Sequence, residues 1–213
     1  MKKVLKILGI LVVILFAVFA TIFLVLDEPV PVGEKGAEAD AMAERMMTAL
    51  NHEAWKTTEK VSWTFGGVHH YEWDKTEDVV TVRWDDNEVV INTAMQSGIV
   101  TNGQNYSFEE ADALTQQAID FFNNDCFWLA APFKAFDPGT ERSIVTLADD
   151  RDGLLVTYTS GGSTPGDTYV WILDENNRPT AVKMWVQILP IGGIEFTWEN
   201  YLTLPSGAML AKD

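Results

Sequence analysis

The chain opens on an unbroken apolar run, turns to a helical period near residue 37, and then alternates apolar and polar positions to its end. Ile7–Leu26 holds twenty residues without a charge. As a helix rising about 1.5 Å per residue it reaches about 30 Å, the hydrocarbon thickness of a bilayer. The run continues past Ala17 and Ala20, with no small-x-small end of a cleaved signal, and no cysteine near its end could carry a lipid. It therefore reads as an uncleaved transmembrane anchor over residues 1–27. Lys2, Lys3 and Lys6 precede it and Asp27 and Glu28 follow, which places the N-terminus in the cytoplasm and the rest in the periplasm or outside the cell. Pro29–Gly36 reads as a short extended linker. Residues 37–213 form the expected domain.

Ala37–Trp55 predicts a first helix, with Met42, Met46, Met47 and Leu50 on one face. Such a methionine stripe suits either a core or an adaptable contact with an apolar ligand. Val61/Trp63/Phe65, His69/Tyr71/Trp73, Val80/Val82/Trp84 and Val89/Ile91 then alternate with polar residues, as antiparallel strands with one buried face do. Ile99–Thr101 predicts a short fifth strand, closed by Asn102-Gly103. A second helix starts at Ser107, where Ser107 and Glu110 have capping-box spacing, and ends near Asn123-Asn124. Five more strands are expected at about 143–148, 154–159, 168–174, 180–189 and 194–204, ahead of a loosely ordered tail.

Between the second helix and the later strands lies Asn124–Gly139, NDCFWLAAPFKAFDPG. Phe127, Trp128, Leu129, Phe133 and Phe136 are too apolar for a solvated loop, while Pro132 and Pro138 bar one continuous helix. The stretch is expected to be an irregular plug of the core, or a lid over a ligand cavity. Trp128-Leu129, Pro132-Phe133 and Asp137-Pro138-Gly139 resemble a motif of an uncharacterised bacterial domain family related to the LolA-like lipoprotein carriers. The likeness reaches more weakly from about residue 37 to the C-terminus, through Tyr71-x-Trp73-Asp74, Tyr169-Val170-Trp171 and Arg178-Pro179. The resemblance implies an α+β, mainly β fold: a strongly curved antiparallel sheet, or half-barrel, closed by two or more helices over an apolar cavity. By analogy alone it implies a lipid or lipid-like ligand.

Charge narrows the choice of partner. The net charge is -16, and residues 1–26 carry +3, so the remainder carries -19. Phosphate backbones and anionic lipid surfaces would repel such a domain, which argues against nucleic-acid binding. Cys126 is the single cysteine, so no internal disulfide forms, and its apolar neighbours predict a buried, inert thiol.

No catalytic or metal pattern emerges. His69 and His70 point to opposite faces of a strand, and His70, Glu72 and Asp74 on one face would span about 13 Å. No serine sits in a nucleophile elbow. Gly161–Asp167 lacks the lysine of a phosphate loop and reads as a hairpin loop. Asp149–Gly153 fails calcium-loop spacing. Neither a cofactor nor an enzyme activity is expected.

What remains is aromatic surface. The chain has eight tryptophans and eleven phenylalanines. Trp63, Tyr71, Trp73, Trp84, Trp128, Phe133, Trp171, Phe196 and Trp198 are the candidate cavity residues. The expected function is a membrane-tethered, non-catalytic binding domain for a lipid or other apolar small molecule. The alternative is an envelope interaction or scaffold domain with a solid core, its protein partner unidentified.

Overall fold

In the computed structural model, residues 2–160 and 164–212 are described, together with side chains 6, 8–15, 18, 21, 25 and 26 of the first helix. The protein is α+β with antiparallel strands in three sheets. The order is helix α1 (Lys2–Leu26), α2 (Ala37–Ala49) and α3 (His52–Thr57), then strands β1 (Lys60–Phe65), β2 (His69–Asp74), β3 (Val79–Trp84), β4 (Asn87–Asn92) and β5 (Ser97–Val100). Helix α4 (Phe108–Ala130) and a short 3-10 helix (Ala131–Lys134) lead to β6 (Thr140–Thr146), β7 (Asp152–Tyr158), β8 (Thr168–Leu173), β9 (Pro179–Trp185) and β10 (Ile194–Thr197). A hairpin of β11 (Leu202–Thr203) and β12 (Met209–Leu210) ends the chain.

Two expectations about the fold class are overturned. No half-barrel forms. The strands make two separate five-stranded meanders, ordered β1-β2-β3-β4-β5 and β10-β9-β8-β7-β6, and neither is closed or strongly curled. The reason lies between β5 and β6: 23 residues of α4 separate them, and the two strands do not pair. Nor is there a transmembrane helix: among the described residues no helix is long and apolar enough to cross a membrane. The glycine-rich loop expected at 161–167 begins outside the described residues. Its described end is a turn in which Thr164 Oγ1 donates to Asp167 Oδ2 at 2.5 Å.

The chain falls into two compact units. One comprises residues 1–43, 138–175 and 179–198, and the other residues 44–137, 176–178 and 199–213. In the first unit, Leu154, Val156, Tyr169, Trp171, Val182 and Met184 are buried on one face of β6–β10. The register Ser143↔Leu155↔Val170↔Lys183 defines the other face. The segment after α1 crosses this second face as a strap. The Glu28 carboxylate accepts from Lys183 Nζ at 2.7 Å and its carbonyl accepts from Trp185 Nε1 at 2.7 Å. At the far end, Glu34 and Ile144 exchange main-chain hydrogen bonds of 2.8 and 2.9 Å on the β6 edge.

The second unit is built on the β1–β5 meander. Its registers place Val61, Trp63, Tyr71, Trp73, Val80, Val82, Val89 and Ile91 on one face. Ala118, Ile119, Phe122 and Cys126 of α4 pack against that face. Two-residue reversal at Asp85-Asp86 joins β3 to β4, with Asp85 at φ 47, as a tight hairpin of matching twist requires. The Ser107–Glu110 capping box is formed, with Glu110 N donating to Ser107 Oγ and Ser107 N to Glu110 Oε2. Local expectations change too: the strand expected at about 194–204 ends at Thr197, and Leu202–Thr203 joins a separate hairpin. The first helix breaks at Asn51, which is left-handed at φ 58, so α3 starts on a new axis. Helix α4 continues through Asn124–Ala130, because the first proline after Ser107 is Pro132, which falls in the first turn of the 3-10 helix, where a missing N–H is harmless. The tail is ordered: Ala208 and Leu210 are buried with Leu50 and Trp55.

Candidate functional site

The site lies in the second unit, where the end of β2, helix α3 and the end of α4 meet. Two threonine hydrogen bonds fix the turn from α3 into β1: Thr58 N donates to Trp55 O and Thr58 Oγ1 to Ala54 O. Lys75 N donates to Glu59 O at 2.8 Å, which prolongs the β1–β2 ladder past Asp74. These bonds set Trp55, Trp73 and Lys75 around one recess. Phe133 of the 3-10 helix stacks on Trp55 (centroids 5.5 Å apart, 14° between planes), and Trp73 meets Trp55 edge-on at 6.3 Å. His52 also stacks on Phe133 at 5.4 Å. The recess measures about 290 Å³ and is floored by Cys126 and Ala130 of α4.

Its rim is basic in an acidic protein. Lys56, Lys75 and Lys134 line it, against one carboxylate, Asp137. Lys134 pairs with Asp137 at 3.1 Å, and Lys56 with Glu53 at 2.6 Å. Lys75 differs. Its ammonium lies 4.2 Å from the Trp55 ring centroid and 5.7 Å from that of Trp73, and it donates to Trp55 O at 2.5 Å. No carboxylate pairs with it among the described residues. Burial against the rings lowers its pKa from the ordinary lysine value. An ammonium has three donors, so two remain for an anion. Burial likewise lowers the pKa of His52, ahead of repulsion by Lys56. The arrangement can therefore hold a flat apolar body on the rings and a negative group at Lys75.

Cys126 offers no nucleophile at this floor. Burial pushes its thiol up to about 11. At about pH 8 only about a thousandth of it is ionised, against about a quarter for a free cysteine. Alkylation of the folded protein by iodoacetamide, followed by intact mass, is accordingly expected to run far slower than in urea. Equal rates would show that the floor is open.

A second polar cluster sits at the opposite end of the same sheet face. Asp125 of α4 is buried, and its Oδ2 accepts from Tyr71 Oη at 2.6 Å and pairs with His69 Nδ1 at 2.7 Å. Asn124 Nδ2 donates to Oδ1 at 2.8 Å. Phe121 stacks on His69 at 3.9 Å and Trp63 on Tyr71 at 4.4 Å. Burial, then the hydrogen bond to Asp125, raises the Tyr71 pKa far above that of an ordinary phenol. Tyr71 and His69 of β2 both meet the Asp125 carboxylate, so the cluster ties α4 to β2.

The nine candidates from sequence scatter. Trp73 and Phe133 line the recess. Trp63, Tyr71 and Trp84 pack with Phe121 and Phe122 under α4. The indole N–H groups of Trp63 and Trp73 are buried without a hydrogen-bond partner among the described residues. Trp128 is half-buried on α4, edge-on to Phe127 at 5.5 Å. Trp171 and Trp198 meet edge-on at 5.0 Å in the other unit, and Phe196 is 46% exposed there. Sequence reasoning missed Trp55, Lys75 and the Asp125 cluster. The Trp55-Lys56 and Trp73-x-Lys75 spacings were the available clues.

No family model matches this chain, and neither the curated proteins nor the solved structures hold a match to it.

Proposed function

We propose that the protein is a non-catalytic binding module for a small, flat, apolar molecule bearing an anionic group. The observation that carries this reading is Lys75: a part-buried ammonium on two indole faces, without a carboxylate partner among the described residues, in a chain with 31 acidic residues. A cation so placed is most stable when an anion completes its shell. The recess volume sets the ligand size. At about 290 Å³ it falls at the small end of ligand pockets, which run from about 300 to 1,000 Å³. It suits an aromatic or short aliphatic carboxylate, and a lipid with several full-length chains does not fit. Beside it, α4 packs Ala118, Ile119, Phe122 and Cys126 on the middle of the sheet face.

Heteronuclear NMR of the indole N–H groups tests the reading, with naphthoate as probe. Titration is expected to shift the Trp55 and Trp73 resonances saturably and leave Trp171 and Trp198 in place. No shift, or equal shifts in all four, would overturn it.

A further inference from the structure

We infer that the free edge of β5, with the flank of α4, is a docking site for an extended basic polypeptide segment that adds as a sixth strand. β5 ends its sheet, and among the described residues no strand pairs beyond it. Thr101 N donates to Glu88 O at 2.8 Å, so the residues facing β4 are Thr101, Ile99 and Ser97. Gly98 and Val100 therefore turn their N–H and C=O groups outward, and no partner meets them among the described residues. The strand, SGIV, carries none of the charges, prolines or bulges that guard exposed edges. The β6 edge of the other sheet shows the contrast, since there Glu34 supplies the missing pairing from within the chain.

A groove of about 510 Å³ runs along β5. On its α4 side lie Phe108, Ala111, Asp112, Thr115 and Ile119. Phe108 is 86% exposed and Ile99 66%, which leaves apolar surface for the side chains of an added strand. The partner's charge follows from the rim. Asp112 is the charged residue of the lining, Glu109 and Glu110 stand in the first turn of α4, and no lysine or arginine lines the groove. An extended segment alternating apolar and basic side chains matches both features. Main-chain hydrogen bonds to Gly98 and Val100 would bind it, and Asp112 would favour lysine or arginine over acids.

The test uses the full chain and a fluorescein-labelled peptide, acetyl-Val-Lys-Val-Lys-Val-Lys-amide, read by anisotropy. Saturable binding is expected. N-methylation of alternate residues in one register is expected to weaken it by about tenfold or more, through loss of two or more main-chain bonds, while methylation in the other register changes it little. Asp112→Asn is expected to weaken the lysine peptide, and a glutamate counterpart of the peptide is expected not to bind. No binding, equal effects of the two methylation registers, or equal binding of the acidic peptide would overturn the proposal. A concentration-dependent dimer that excludes the peptide in sedimentation would assign the edge to a second copy and overturn it also.

Discussion

An Asp125→Ala variant is expected to melt about 6–12 °C below the parent chain, from a loss of about 3 kcal/mol. Asp125 is 1% exposed and anchors three donors: Tyr71 Oη, His69 Nδ1 and Asn124 Nδ2. Removing the carboxylate leaves Tyr71 Oη in the core with a proton and no acceptor. It also removes a partner of His69, whose ring is packed on Phe121. An unsatisfied buried donor costs about 1–3 kcal/mol, and a buried pair that loses one member costs about 3–5 kcal/mol. Asp125→Asn keeps an oxygen facing Tyr71 and is expected to lose less. Thermal unfolding followed by circular dichroism measures both. A melting temperature unchanged in Asp125→Ala would mean that the cluster does not hold α4 to β2.

Lys75→Met is expected to weaken naphthoate binding by about 10–100-fold, with little change in fold stability. Charge-assisted hydrogen bonds contribute about 1.5–3 kcal/mol, and methionine keeps an apolar stem against the indole rings. The loss is expected to fall on anions alone, so that the uncharged naphthylmethanol binds both proteins alike. pH gives a second handle. Burial lowers the Lys75 pKa, so its charge, and with it anion affinity, is lost as pH rises at a lower pH than for an exposed lysine. Tryptophan fluorescence titrations of both proteins across that range measure the effect. Equal naphthoate affinities for parent and variant would remove Lys75 from the site.

Much of the local structure was legible, because alternation and capping act over a few residues. The Val61/Trp63 and Tyr71/Trp73 faces and the Ser107–Glu110 cap are of this kind. What failed depends on distant partners. Alternation tells which face of a strand is buried, but not which edges pair, so ten strands that suit one curved sheet instead form two meanders. Asn123-Asn124 read as a helix end, yet nothing after it prevents another turn and a half before Pro132, and the apolar face of α4 continues through Cys126 and Ala130. That same misplaced boundary hid Asp125, an acid within the apolar stripe of a helix. Lys75 was invisible for another reason: a lysine just past a strand reads as solvated until Trp55, from α3, is brought beneath it.

The central claim is that the aromatic recess selects an anion. Calorimetric titration of the protein with naphthoate and with naphthylmethylammonium, two probes of similar apolar body and opposite charge, tests it most directly. One naphthoate per chain is predicted to bind saturably, and the ammonium compound is predicted not to bind. Equal or tighter binding of the cation would contradict the claim.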